Sequence, residues 1–197
     1  QLSRAYESAG QPEQALVTLD RLVQDFPASR YLAEAQFRRG EILFVKQDYF
    51  RAGAAFAAVV EVGPQSAYFE QSLYKYGWAE FKQAEYDRSI NAFLDLLNLR
   101  LQAAGADASA PRAESEALER MSRAERELVD DTLRVLALTF SYMDGPATID
   151  AYLSARGGRD STYLLYDSLG SLYLSKDRYL DAAEAYAGFV QREPFHA

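Results

Sequence analysis

The stretch from Tyr49 to Pro64, YFRAGAAFAAVVEVGP, recurs along the chain with a period of 37 residues. In each copy a small residue is followed, four positions later, by a large apolar one. The small residues are Ala15, Ala52 and Ser89, and the large ones are Leu19, Phe56 and Phe93. Apolar residues at this spacing share one face of an α-helix. A period between about 20 and 50 residues predicts a solenoid, in which each unit packs only on its neighbours.

A glycine precedes the small residue by 12 positions, and this spacing reveals a more distant copy near the C-terminus. The glycine and small-residue pairs are Gly40 with Ala52, Gly77 with Ser89, and Gly170 with Ala182. Tyr186 and Pro194 complete the last copy, at the places that Phe56 and Pro64 hold in the second. The repeat is therefore expected to resume after an interruption.

This order of glycine, alanine, aromatic residue and proline resembles the tetratricopeptide repeat, a helix–turn–helix unit. Gly40–Pro64 and Gly170–Pro194 carry the full pattern, whereas the third unit has Leu101 where the proline is expected. The period exceeds the usual one of about 34 residues by three, which is close to one helical turn. The resemblance implies an all-α fold, a right-handed α-solenoid (superhelix) of antiparallel helix pairs.

A narrower resemblance concerns the long period together with a Pro-x-Ser sequence, Pro27-Ala28-Ser29, ahead of the second unit. This form is similar to Gram-negative envelope proteins of the BamD and YbgF type. The similarity implies a periplasmic or outer-membrane-associated protein, with a cytoplasmic location as the alternative. The lack of cysteine fits an oxidising compartment, although many cytosolic proteins also lack it. The first residue is Gln1 rather than Met, as expected of a mature or excised piece.

The repeat pattern divides the chain into four expected segments. Residues 1–101 hold three repeat units, of which the first is truncated. Residues 102–121 are expected to form a flexible insertion, because they are rich in small and polar residues without apolar periodicity. Residues 122–158 are expected to form a degenerate helical hairpin, which begins with a capping box, Ser122-Arg-Ala-Glu125. Residues 159–197 form a further unit that leads into a possible next repeat.

The composition argues against several classes of function. The net charge of −8 makes nucleic acid an unexpected partner, because phosphate backbones need clustered lysine and arginine. The apolar runs are far shorter than the ~20 residues of a membrane span. The single histidine is the terminal-region residue His196, and no glycine motif for phosphate binding is present. We therefore expect no catalytic residue, cofactor or metal; the alternative is a non-catalytic docking arm of a larger enzyme.

The resemblance also predicts where a partner binds, because the first helices of successive tetratricopeptide units line a concave groove. The groove positions carried onto this sequence are Phe37, Glu41 and Phe44 in the second unit, and Tyr74, Trp78, Phe81 and Lys82 in the third. Their aromatic residues repeat at the structural period and can anchor a peptide or protein. The alternative is that the aromatic rings only pack between helices. The predicted function is a protein–protein interaction scaffold in a bacterial envelope assembly, with its oligomeric state left open.

Overall fold

The computed structural model describes residues 1–105, 113–156 and 162–194. In these residues the chain forms α-helices and no β-strand. The eleven helices described are α1 Leu2–Ser8, α2 Pro12–Asp25, α3 Leu32–Val45, α4 Tyr49–Val62, α5 Phe69–Lys82, α6 Tyr86–Ala103, α7 Ala113–Arg120, α8 Arg123–Tyr142, α9 Pro146–Arg156, α10 Thr162–Ser175 and α11 Tyr179–Arg192. The predicted all-α fold is confirmed.

The helices divide into two compact units. The N-terminal unit is Gln1–Ala92 and the C-terminal unit is Phe93–Ala197. In the N-terminal unit, α1 pairs with α2 and α3 with α4, and each following first helix packs on the preceding second helix. In the C-terminal unit, α10 and α11 form the closest pair. Each described helix is too short or too polar to span a membrane.

Close contact between a glycine and an aromatic ring explains the spacing of 12 between the glycine and the small residue. A Cβ atom on Gly40 would lie 2.6 Å from Cε1 of Phe56. A Cβ atom on Gly170 would lie 2.5 Å from Cζ of Tyr186. Both distances are shorter than any van der Waals contact. Only a residue without a side chain therefore lets the two helices of a hairpin approach with the aromatic ring between them.

The small residue of each repeat is buried at the same helix crossing. Ala52 is fully buried and joins Phe56 and Val59 in a core cluster of the N-terminal unit. Ala182 is buried in the C-terminal unit. In the third repeat the equivalent Ser89 is also fully buried, and its Oγ donates a hydrogen bond to the carbonyl oxygen of Gly77 at 2.9 Å. The serine is tolerated there because its hydroxyl group has a partner.

A second repeated feature is the turn between the two helices of a hairpin. Its residues with positive φ are Gly10 at 68°, Gln47 at 62°, Ala84 at 61° and Asp177 at 56°. In the second hairpin, the Gln47 N–H donates to the carbonyl oxygen of Phe44 at 3.0 Å. The Asp48 N–H donates to the carbonyl oxygen of Leu43, also at 3.0 Å. This is the Schellman pattern, in which the left-handed residue is most often glycine.

The interruption of the repeat differs from its expected form. Part of the predicted flexible insertion, residues 106–112, lies outside the described residues, as do Gly157 and Gly158. The remainder includes helix α7, which buries Ala117, and Met121 directly after it is buried too. The predicted capping box at α8 is confirmed: the Ser122 N–H donates to Glu125 Oε2 at 2.9 Å, and the Glu125 N–H donates to Ser122 Oγ.

Helix α8 packs more extensively against α10 than against α9, its partner in the predicted degenerate hairpin. Helix α9 is instead tied to α10 and α11 by polar contacts. The buried Tyr166 hydroxyl group donates to Asp150 Oδ1 at 2.7 Å, and Arg192 forms an ion pair with Asp150 at 3.1 Å. Burial and this hydrogen bond raise the pKa of the Tyr166 hydroxyl group far above its ordinary value.

Replacing Gly40 by alanine should lower the free energy of unfolding by about 1–3 kcal/mol, because the new methyl group overlaps the Phe56 ring. Chemical denaturation of Gly40→Ala, Phe56→Leu and the double variant measures this. The double variant should lose less stability than the two single variants together, since the smaller leucine relieves the overlap. If the losses in the free energy of unfolding were additive, the packing at Gly40 would not depend on the size of the side chain at position 56.

Replacing Ala84 by glycine should raise the free energy of unfolding by up to about 1 kcal/mol, because glycine adopts positive φ without a steric penalty. Ala54→Gly is the matched control, since Ala54 is also exposed but lies inside α4. There the same substitution should cost about 1 kcal/mol. Urea midpoints that shift in the same direction for both variants would contradict the role of the turn.

Candidate partner-binding face

Ion pairs connect the first helices α1 and α3 along one face of the N-terminal unit. Arg4 Nη2 lies 2.5 Å from Glu34 Oε1, and Arg38 Nη2 lies 2.7 Å from Glu7 Oε2. Arg38 also approaches Glu34 at 3.4 Å. The hydrogen bond from Arg4 lowers the pKa of the Glu34 carboxyl group. We call the outward surface of α1, α3 and α5 the first-helix face; its α1–α3 part is charged and internally paired.

The same face continues from α3 to α5 with different chemistry. Lys75 Nζ lies 3.8 Å from Glu41 Oε1 and 5.7 Å from the centre of the Phe44 ring. Lys75 is one period after Arg38, and Phe44 is one period after Glu7. A contact that is an ion pair between α1 and α3 therefore becomes a cation–π contact between α3 and α5.

Aromatic rings run along α5 towards the start of α6. The Trp78 ring lies 6.5 Å from Tyr74 and 5.6 Å from Phe81, in edge-to-face arrangements. Phe81 lies 5.9 Å from Tyr86, and Lys82 Nζ lies 5.9 Å from the Trp78 ring centre. All four aromatic side chains are half-buried and Lys82 is exposed. The rings pack against each other and still leave part of their surface exposed to solvent. They therefore combine features of the two alternatives raised by the sequence, an exposed binding strip and rings packed between helices.

The structure places Phe37 outside the predicted site. It is buried in the core of the N-terminal unit, with its ring stacked on Tyr68 at 5.2 Å and tilted against Phe56 at 6.0 Å. It therefore does not belong to an open aromatic strip. Its repeat equivalent Tyr74 is half-buried instead, so identical register does not guarantee identical exposure. Phe44 is half-buried and contacts Tyr49 edge-on at 5.1 Å.

The sequence interpretation missed the cations that lie over or beside this face, above all Lys75 and Arg38. The available signal was the period itself, because Arg38 and Lys75 occupy the same repeat position and are both basic. In the C-terminal unit the matching groove positions carry Asp167, Ser171 and Ser175, and Ser175 Oγ donates to the carbonyl oxygen of Leu172 at 2.7 Å. The aromatic pattern of α5 is not repeated at those positions.

Glu80 is a buried carboxyl group on the side of α5 that meets α4. Its Oε2 atom accepts no hydrogen bond from the described residues and lies 3.5 Å from Arg88 Nη1. A Cβ atom on Gly53 would lie 2.7 Å from Glu80 Oε1, so the glycine makes room for the carboxyl group. Burial raises the pKa of Glu80, and Arg88 opposes this shift. The carboxyl group therefore lies where α4 and α5 pack against each other.

In the part of the chain that the structure describes, no cluster of three or more histidine, aspartate or glutamate residues could hold a metal ion. His196 lies outside the described residues. The first-helix face presents aromatic surface and paired charges.

Replacing Glu80 by glutamine should increase the free energy of unfolding at neutral pH. The raised folded-state pKa means that the folded protein binds this proton more tightly than the unfolded chain does. Stability should therefore fall as pH rises above the unfolded value of about 4.5 towards the folded-state pKa. Glutamine stays uncharged and should remove this decrease.

Urea denaturation of wild type and Glu80→Gln at several pH values tests the expectation. Glu61→Gln is the matched control, because it makes the same substitution at a carboxyl group that lies exposed on α4. A Glu80→Gln variant that is less stable than wild type at neutral pH would show that Arg88 compensates the buried charge.

Comparisons with known proteins agree with this architecture. The family model described as Tetratricopeptide repeat matches residues 1–29 and 71–99. These two segments are similar to tetratricopeptide repeats. They cover α1 and α2 in the first case and most of α5 and α6 in the second. No curated protein matches the chain.

Two crystal structures of MamA, both of low sequence identity, share the fold. A crystal structure of MamA superposes with a TM-score of 0.53 at 14% identity, covering 98% of this chain and 95% of that one. A crystal structure of MamA protein gives 0.53 at 16% identity, covering 98% and 88%. YrrB, a TPR protein with an unusual peptide-binding site, gives 0.47 at 16% identity, covering 98% and 84%. At their sequence identities, the likeness to the two MamA structures concerns the fold alone.

Proposed function

We propose that the chain is an interaction scaffold whose first-helix face binds a peptide or protein through α3 and α5. The observation that carries the proposal is the row Tyr74, Trp78 and Phe81, whose rings are fixed against each other yet remain partly open to solvent. Rigid aromatic side chains lose little entropy on binding and are the commonest energetic anchors of interfaces. The repeat fold supports this class of function.

The charges around the row indicate the chemistry of a suitable ligand. Lys82 is exposed beside the Trp78 ring, and Lys75 is shared between Glu41 and the Phe44 ring at distances that leave room for a closer anion. A ligand with an apolar side chain over Trp78 and a carboxylate near Lys82 satisfies both features. Exposed charges of this kind set orientation and association rate more than affinity.

The place of this scaffold in the cell is a separate proposal. The long period and the Pro27-Ala28-Ser29 sequence support a role in a bacterial envelope assembly, in the periplasm or at the outer membrane. The acidic net charge of −8 supports a protein partner rather than nucleic acid. A docking arm of a larger enzyme is the second candidate, since a scaffold of this kind can be joined to a catalytic domain.

Peptides selected from a random display library against the folded chain test the binding face. Their affinity should fall at least tenfold for Trp78→Ala and for Lys82→Glu, because each substitution removes a proposed contact. Phe50→Ala is the matched control, since Phe50 is an exposed aromatic residue on α4. Trp78 is the only tryptophan, so its fluorescence should become protected from acrylamide when peptide binds. Equal affinity for all variants would place the site elsewhere.

A further inference from the structure

Helix α4 presents an apolar stripe to solvent on the side opposite the buried Phe56. We call it the α4 stripe; its residues are spaced by four and are Phe50, Ala54, Ala58 and Val62. Phe50 is 76% exposed and Val62 38%, whereas Ala54 is exposed and Ala58 half-buried. On a helix, all four positions lie within about 60° of the direction that points away from position 56.

The apolar character of the stripe is a property of α4 and not of second helices in general. Helix α4 is internal, since second helices of the preceding and the following repeat, α2 and α6, are both present. At the same four positions the preceding repeat carries Glu13, Val17, Arg21 and Asp25, and the following repeat carries Asp87, Asn91, Asp95 and Leu99. The position of Phe50 is thus acidic in both neighbouring repeats. An exposed aromatic ring there is not needed for the repeat to fold, and a continuous apolar stripe is typical of an interaction site.

Two residues of opposite charge flank the α4 stripe. Arg51 follows Phe50 at the N-terminal end of α4, and the exposed Glu61 precedes Val62 at the C-terminal end. This combination is specific to the second repeat. The corresponding residues are Gln14 and Gln24 in the first repeat, and Arg88 and Asn98 in the third.

Within the chain, Arg51 is shared between two carboxylates. One Nη atom lies 3.3 Å from Asp20 Oδ2 and the other 3.5 Å from Asp48 Oδ2. Its side chain is nevertheless 44% exposed. The guanidinium group has five N–H donors, so it can also accept a carboxylate from outside the chain.

The residues of the stripe and its two flanking charges are placed symmetrically about position 56. The symmetric pairs are Phe50 with Val62, Arg51 with Glu61, and Ala54 with Ala58. The members of each pair lie equally far along the helix from position 56, and on opposite sides of its outward direction. Such a surface is complementary to itself, because a two-fold axis through its centre brings each residue opposite its symmetric partner.

We propose that the α4 helices of two copies of this chain pack against each other, antiparallel, to form a symmetric dimer. At the centre Ala54 of one copy faces Ala58 of the other, and these small side chains let the two helices approach closely. At each end Phe50 covers Val62 of the second copy. The apolar contacts provide the affinity.

The charges at the ends of the contact determine its register. Arg51 of each copy meets Glu61 of the other, so the dimer contains this ion pair twice. Exposed ion pairs add little affinity, but an antiparallel arrangement alone satisfies both of them. In a parallel arrangement with the same centre, Arg51 would face Arg51 and Glu61 would face Glu61.

The contact is isologous, so it closes after two copies and association stops at the dimer. A single pair of helices buries less surface than a typical stable interface does, so the dimer should dissociate on dilution. Dilute solutions therefore contain the monomer that the denaturation and peptide-binding measurements above require. The α4 stripe lies on a second helix, and the proposal is independent of the ligand of the first-helix face.

Sedimentation velocity over a range of protein concentrations tests the proposal. The average mass of the wild-type chain should rise with concentration and level off at the mass of a dimer. Arg51→Glu and Glu61→Arg should each weaken dimerisation at least tenfold, because each places like charges opposite each other at both ends of the contact. Phe50→Ala should weaken it through the lost apolar contact. Val45→Arg, at a residue on α3 that is 82% exposed, is the control and should dimerise like wild type.

An equimolar mixture of Arg51→Glu and Glu61→Arg tests the register. It should recover the dimerisation of wild type, because the introduced carboxylate then faces the introduced guanidinium group, and the remaining Arg51 faces the remaining Glu61. Circular dichroism melts check that each variant is folded. A wild-type chain that stays monomeric at every concentration, or that grows beyond the dimer, would overturn the proposal. Dimerisation that these variants do not weaken, or that the mixture does not restore, would overturn it as well.

Discussion

The contact on which the described repeats depend is the approach of a glycine in the first helix to an aromatic ring in the second. A Cβ atom at Gly40 or Gly170 would lie within 2.6 Å of the ring of Phe56 or Tyr186. This distance fixes how close the two helices of a hairpin lie, and hence where Ala52 and Ala182 must be small. Packing of this density responds to a single methylene group, which explains why these positions repeat in the sequence.

Period and residue size were sufficient to predict most of the fold. The glycine, alanine and aromatic positions were read correctly from their spacing, and so was the capping box at Ser122. The packing of α8 against α10 could not be read, because it depends on which apolar faces meet after the repeat is interrupted. Helix α7 was missed because only Ala117 and the adjacent Met121 mark its buried side, too few residues for a periodic signal.

The candidate site was only partly predictable, and Phe37 shows the physical reason. Its ring turns into the core against Tyr68 and Phe56, although its equivalent Tyr74 remains half-buried at the same repeat position. Whether an aromatic residue faces the core depends on the size of its neighbours in the next helix, which a helical period does not encode. Trp78 contacts both Phe81 and Lys82 on α5. The pattern did not reveal Lys75, because its role lies in a contact with Phe44 on another helix.

Positions on the first-helix face are free to change because they do not set the distance between helices. The position that Arg4, Glu41 and Trp78 share carries a cation, an anion and an aromatic ring in three successive units. A neighbouring repeat position is held by Glu7 in one unit and by Phe44 in the next. There the basic residue of the following first helix forms an ion pair with Glu7 and a cation–π contact with Phe44. Each version stabilises its pair of helices by a modest amount, so no version is required for folding. The first-helix face can therefore vary in chemistry from unit to unit, while the buried positions represented by Ala52, Ser89 and Ala182 keep small residues.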